Sequence, residues 1–169
     1  MSGRLINAVP LSAAAFRPFG DVIEIAGRPW RAINDGTCER YDDLAGIDVT
    51  AAGGRPLLNI FRAAPRSLPL QVRALERHPL SSQAFYPLQR RPFLIVVATD
   101  GAAPVAERIQ AFHSSGEQGV NFRRNTWHHP LIALQEISQF LVIDRGGPEE
   151  NCEESAVDAT PVFVTLPDP

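Results

Sequence analysis

The chain has 169 residues, with 44% hydrophobic and 21% charged content and a formal net charge of −3. Such a length suits one domain, 1–169, able to bury roughly 70% of its unfolded surface. No segment nears the roughly 18 to 20 unbroken apolar residues of a membrane span, and no basic run offers the counterion-displacing patch of a nucleic-acid binder.

Neither a membrane nor a nucleic acid is therefore an expected partner. Met1 to Ile6 lacks the apolar core of a secretory signal, so the cytoplasm is the expected location. All 16 basic residues are arginine. The absence of lysine excludes Schiff-base chemistry on a lysine side chain, and leaves the planar guanidinium, which pairs both oxygens of a carboxylate at once.

In chain order, Ser12 caps a short turn over Ala13, Ala14, Ala15 and Phe16, stopped before Pro18. Apolar, β-rich stretches follow at 22–25, 57–61, 70–75, 83–88, 93–98, 109–112, 131–135, 140–143 and 162–166. Asn34-Asp35-Gly36 is a turn signal, and Gly53-Gly54 and Asp100-Gly101 mark loops. Many short strands with frequent turns predict an all-β sandwich or barrel with few short helices. The tail Leu166-Pro167-Asp168-Pro169 is expected to be loosely held. Cys38 and Cys152 form no Cys-x-x-Cys and need not pair.

Glu76 and His78 stand at i and i+2, on the same face of an extended strand, and Pro79 ends the ladder there, placing them near a barrel mouth. They can equally be solvated strand-end residues. In Trp127-His128-His129-Pro130 the adjacent histidines point to opposite faces, so at most one is expected to join an inward site, while isolated His113 reads as a surface residue. Arginines fall near strand ends at Arg40, Arg62, Arg123, Arg124 and Arg145, each open to a structural ion pair instead. No Gly-x-Ser-x-Gly elbow, phosphate loop or dinucleotide fingerprint is present, which disfavours serine hydrolases, nucleotide enzymes and Rossmann dehydrogenases.

Four segments carry a resemblance: Phe16-x-x-Phe19-Gly20-Asp21-Val22-Ile23-Glu24; Glu76-x-His78-Pro79-x-x-x-Gln83-x-Phe85-x-Pro87; Gly116-Glu117-Gln118-Gly119-Val120-Asn121 through Trp127-His128-His129-Pro130; and Asp144-Arg145-Gly146-Gly147. Together, in this order over nearly the whole chain, they resemble the bacterial ureidoglycolate lyase family. The resemblance implies a cupin-type β-barrel or jelly roll, a homodimer, and cleavage of ureidoglycolate to glyoxylate and urea in allantoin and purine catabolism.

Against the general cupin pattern His-x-His-x(3,4)-Glu-x(6)-Gly, the chain has Glu76, His78, Gln83 and Arg90. In Gly-x(5)-Pro-x-Gly-x(2)-His-x(3)-Asn it keeps only His128, with Glu117, Arg123, Asn125 and Ile132 elsewhere; Asn125 is the mildest change, because asparagine tolerates the left-handed turn of a glycine. The metal set is thus degenerate: no cofactor is expected to be required, and a divalent ion would be weakly bound.

The expected catalytic residues are Glu76, His78, Gln83 and His128. Glu76 or a histidine would take the hydroxyl proton, and His78 or His128 would protonate the departing urea nitrogen. Arg124 or Arg145 is favoured as the carboxylate clamp, with Asn121, Arg62 and Arg40 as further substrate-binding candidates. Two other readings use the same residues: a cupin-like domain that captures a small acid without transforming it, and a metal-dependent cupin isomerase or oxygenase.

Overall fold

A computed structural model describes residues 3–99, 101–158 and 160–167. Its strands, in order, are β1 (Arg4–Asn7), β2 (Val9–Pro10), β3 (Gly20–Ile23), β4 (Arg31–Ile33), β5 (Cys38–Arg40), β6 (Arg55–Ala63), β7 (Leu70–Val72), β8 (Ala74–Arg77) and β9 (Gln83–Pro87). They continue as β10 (Phe93–Ala98), β11 (Ile109–His113), β12 (Gly119–Phe122), β13 (Trp127–His128), β14 (Ile132–Ala133), β15 (Ser138–Gly146), β16 (Glu153–Ala156) and β17 (Val162–Thr165). The α-helix among the described residues is α1 (Ala13–Phe16), whose Ala15 amide donates to the Ser12 hydroxyl. The molecule is mainly β and cupin-like.

Three sheets form layers. The middle one runs β16-β8-β13-β10-β11-β2, with β14 also beside β10; the second runs β3-β12-β9-β15-β6; and β1-β17-β7 covers the outside, with β4-β5 a separate hairpin. Between the first two lies the barrel interior, built on Phe16, Phe85, Phe93, Phe112, Phe122 and Phe140. The outer cluster, with Leu75, Leu94, Val96, Trp127 and Val162, packs between the middle and outer sheets. Central β10 is buried on both faces, which is why its sequence, Phe-Leu-Ile-Val-Val-Ala, shows no alternation.

The 70–75 stretch is two strands. Leu70, Val72 and Leu75 all bury into the outer cluster, so the alternation slips by one residue at exposed Arg73; β7 pairs with β17, and β8 pairs with β13 and β16. Only Ile132–Ala133 of 131–135 is strand. Strand β12 escaped the propensity reading because Gly119 and Asn121 interrupt it; a Cβ at Gly119 would collide with the Phe85 carbonyl oxygen of the neighbouring strand.

His113 is half-buried on β11 rather than a surface residue. Leu166 packs on the outer cluster, so the tail is held at least that far; Asp168 and Pro169, like Asp100, lie outside the described residues. Cys38 and Cys152 are both free and exposed. Arg90 and Asn125, standing where the cupin patterns have glycine, have φ of 55° and 66°, so the left-handed turns persist without the glycines.

Candidate active site

Antiparallel pairing of β8 with β13 sets His128 directly opposite Glu76, and strand alternation brings His78 to the same face. One ligand-capable atom from each of Glu76, His78 and His128 lies within 4.8 Å of the others. His128 is fully buried and stacks on Phe122, with ring centroids 4.2 Å apart and planes 12° from parallel. The His78 ring is 5.1 Å from it.

Each imidazole is tied to the main chain. His128 Nδ1 lies 2.8 Å from the Thr126 carbonyl oxygen and His78 Nδ1 2.7 Å from that of Asn151; a carbonyl only accepts, so both Nδ1 atoms carry hydrogen. His128 Nε2 then faces Glu76 Oε1 at 3.4 Å, too long for a good hydrogen bond, and has no other partner among the described residues. His78 Nε2 lies 3.1 Å from Gln83 Oε1.

Burial works against the Glu76 carboxylate, yet the neighbouring His128, with His78 and His129 behind it, holds its pKa below the usual value. Burial and the nearby His128 push His78 down, against the pull of the Asn151 carbonyl, Glu76 and Gln83. The carboxylate is thus favoured in its ionised form, and the protonated His78 ring is a stronger acid than a free imidazolium. His129 points elsewhere: its Nδ1 meets the Pro130 carbonyl oxygen at 2.8 Å, and it lines a separate recess with Arg66, Arg73 and Glu76.

Glu76 and Gln83 open into a cavity of about 540 Å³ with Phe61, Arg62, Ala63, Phe85, Pro130 and Leu131. Arg62 is the one expected clamp on this cavity, and its guanidinium has no partner among the described residues. The others are engaged with protein groups, although Arg145 lines the recess shared by His78, Gln83 and Asp144. Arg145 is buried and donates to the carbonyls of Ala51, Ala52 and Pro148; Arg124 pairs with Asp48 at 2.7 Å in a recess with Arg77 and Arg123; Arg40 pairs with Asp42 on the exposed hairpin. Asn121 is a buried residue of β12 that donates to Asp21 and the Gly46 carbonyl.

Of the Asp144-Arg145 pair, both residues line the recess of His78 and Gln83. Phe140 and Val142 face the interior, and the two-residue period along β15 carries Asp144 to that side. Burial pushes its pKa up, against His78, Gln83 and Asn59. The Cys152 thiol is likewise pushed up by burial and by Glu76, which disfavours a thiolate nucleophile.

As a metal set these residues fit poorly. Both ring nitrogens of His78 are engaged with oxygens, so an ion would have to displace Gln83, and the atoms left free are His128 Nε2 and the Glu76 carboxylate.

A cupin-like barrel with a carboxylate and two imidazoles in its interior defines the class. The ureidoglycolate lyase family profile matches residues 3–165. Ureidoglycolate lyases of Burkholderia mallei (strain NCTC 10229) and Brucella melitensis biotype 2 (strain ATCC 23457) are 55% and 54% identical, over 89% and 88% of this chain and 88% of each relative. One from Azotobacter vinelandii is 50% identical over 89% of this chain and 91% of its own. The chain belongs to the ureidoglycolate lyase family.

Proposed function

We propose that this chain is a carbon–nitrogen lyase that cleaves ureidoglycolate to glyoxylate and urea, as a step of allantoin and purine breakdown. The observation that carries the reading is the convergence of Glu76, His78 and His128 within 4.8 Å beside a cavity holding Arg62, in a chain of this family.

Arg62 anchors the substrate carboxylate at the cavity mouth. Glu76 takes the hydroxyl proton; the O–H electrons form the new C=O, and the C–N electrons leave with the nitrogen, which takes a proton from His78. Nothing is oxidised or reduced. One proton leaves oxygen and one arrives on nitrogen, and moving a proton from Glu76 back to His78, with His128 between, resets the site. Gln83 holds the His78 ring.

The reaction requires no metal in this reading, and a divalent ion on Glu76 and His128 would be held weakly. The protein is further proposed to be a cytoplasmic homodimer without nucleic-acid or membrane partners. No helix among the described residues is long and apolar enough to cross a membrane, and net charge is negative. Edge strand β6 exposes Leu58 and Ile60, a surface suited to a second copy. Ile60→Glu is expected to shift the species in sedimentation towards monomer.

The deciding experiment is release of glyoxylate and urea from racemic ureidoglycolate by purified protein, with and without chelator. Equal saturable release in both is expected. No release would return the chain to capture of a small acid, and loss on chelation to a metal-dependent cupin.

A further inference from the structure

We infer that Asp144, backed by Asn59, is a positioning residue that acts on His78 through the side-chain amide of Gln83. The inference rests on the acid–base role proposed for His78.

A glutamine amide has a donor end and an acceptor end, and its surroundings decide which way each points. Gln83 begins β9, and Asp144 stands opposite it where the β9–β15 register, Ile143 against Ala84, is continued by one residue. Both side chains line one recess of about 430 Å³ with His78 and Asn151. Asn59 Nδ2 donates to Asp144 Oδ1 at 3.0 Å, which fixes the carboxylate, and the Gln83 amide is near enough to Asp144 to favour its charged form. An ionised carboxylate only accepts, so Gln83 must turn its NH2 towards Asp144 and its oxygen towards His78 Nε2, the observed orientation at 3.1 Å.

The opposite side of the ring is equally fixed. Asn151, whose carbonyl accepts from His78 Nδ1, is held by the Leu80 amide on its Oδ1 at 2.7 Å and donates from Nδ2 to the Ser81 hydroxyl at 2.8 Å. His78 thus meets an acceptor oxygen at each nitrogen, an arrangement that favours the protonated ring against its burial, and Asp144 is the group that turns the Gln83 oxygen to Nε2. Asp144 shares its recess with His78 and Gln83, and its route to the ring is the Gln83 amide. Without the carboxylate the amide is free to flip and present its NH2 to His78, which removes the donor geometry while leaving the strands and the cavity in place.

The test is a double-mutant cycle on ureidoglycolate turnover, with Asp144→Asn, Gln83→Ala and both together. Asp144→Asn alone is expected to lower kcat about 10- to 100-fold with KM nearly unchanged, and to have little further effect in the Gln83→Ala background. An equal kcat loss in both backgrounds, or a rise in KM with kcat unchanged, overturns the inference. Independently of turnover, the Gln83 side-chain NH2 signals in glutamine-labelled protein should move on Asp144→Asn; if they do not, the inference fails whatever the kinetics. Absence of glyoxylate and urea release by the unmodified chain would instead overturn the functional reading.

Discussion

Strands β8 and β13 carry two kinds of charged chemistry on their two faces. Inward, Glu76, His78 and His128 are withdrawn from water, tied to carbonyls and incompletely paired with one another. Outward, Arg77 pairs with Glu153 at 2.7 Å and lies 4.5 Å over the Trp127 ring. The same backbone thus supports a reactive face and a structural one. What separates them is burial and the incomplete pairing of Glu76 with His128, whereas Arg77 and Glu153 answer each other's charge nearer to solvent.

The sharpest way to test this contrast is on the inward face. Glu76→Gln and His78→Ala are each expected to lower kcat by about 10²- to 10⁴-fold in steady-state assays, with thermal unfolding little changed. Near-native turnover in both would remove the assignment. Outward, Trp127→Ala should do the reverse, costing about 3–5 kcal/mol of stability in denaturant titration through the cavity it opens in the outer cluster.

An intermediate effect is expected from pH. His78 and Glu76 both have folded pKa values below their ordinary 6.5 and 4.5, so their contribution to stability is present above those values and is lost as pH falls. The thermal midpoint should decline on acidification below about 6.5, with His129, also depressed by burial and Arg66, adding to the slope. His78→Ala should flatten the first part of that decline. The smallest effect belongs to Arg77–Glu153, whose glutamate is half exposed: a double-mutant cycle should give coupling of about 0.2–1 kcal/mol, weakened by salt.

Much of this arrangement was legible in the sequence, for reasons particular residues make clear. The i, i+2 spacing of Glu76 and His78 survives because β8 is extended there, and the opposite facing of His128 and His129 follows from the same geometry. Less legible was which arginine enters the cavity. Arg62, Arg124 and Arg145 all sit near strand ends, and only tertiary structure shows Arg145 drawn onto the carbonyls of the 51–52 turn and Arg124 onto Asp48. Asp144 shares the two-residue period of Phe140 and Val142, a signal carried by the sequence itself. The short strands β12 and β13 carry too few residues for propensity to reveal, and are held by pairing to strands distant in sequence.

The anchoring of both imidazoles to main-chain carbonyls, Thr126 for His128 and Asn151 for His78, has a consequence for diversification. A side-chain orienting group can be lost in a single codon change, whereas a carbonyl survives any substitution that spares the local backbone path. The cavity walls Phe61 and Leu131, which hold neither ring, are therefore free to be rebuilt for a different α-hydroxy acid while the rings keep their aim. Selection for new specificity can work on those walls without first re-evolving the catalytic geometry.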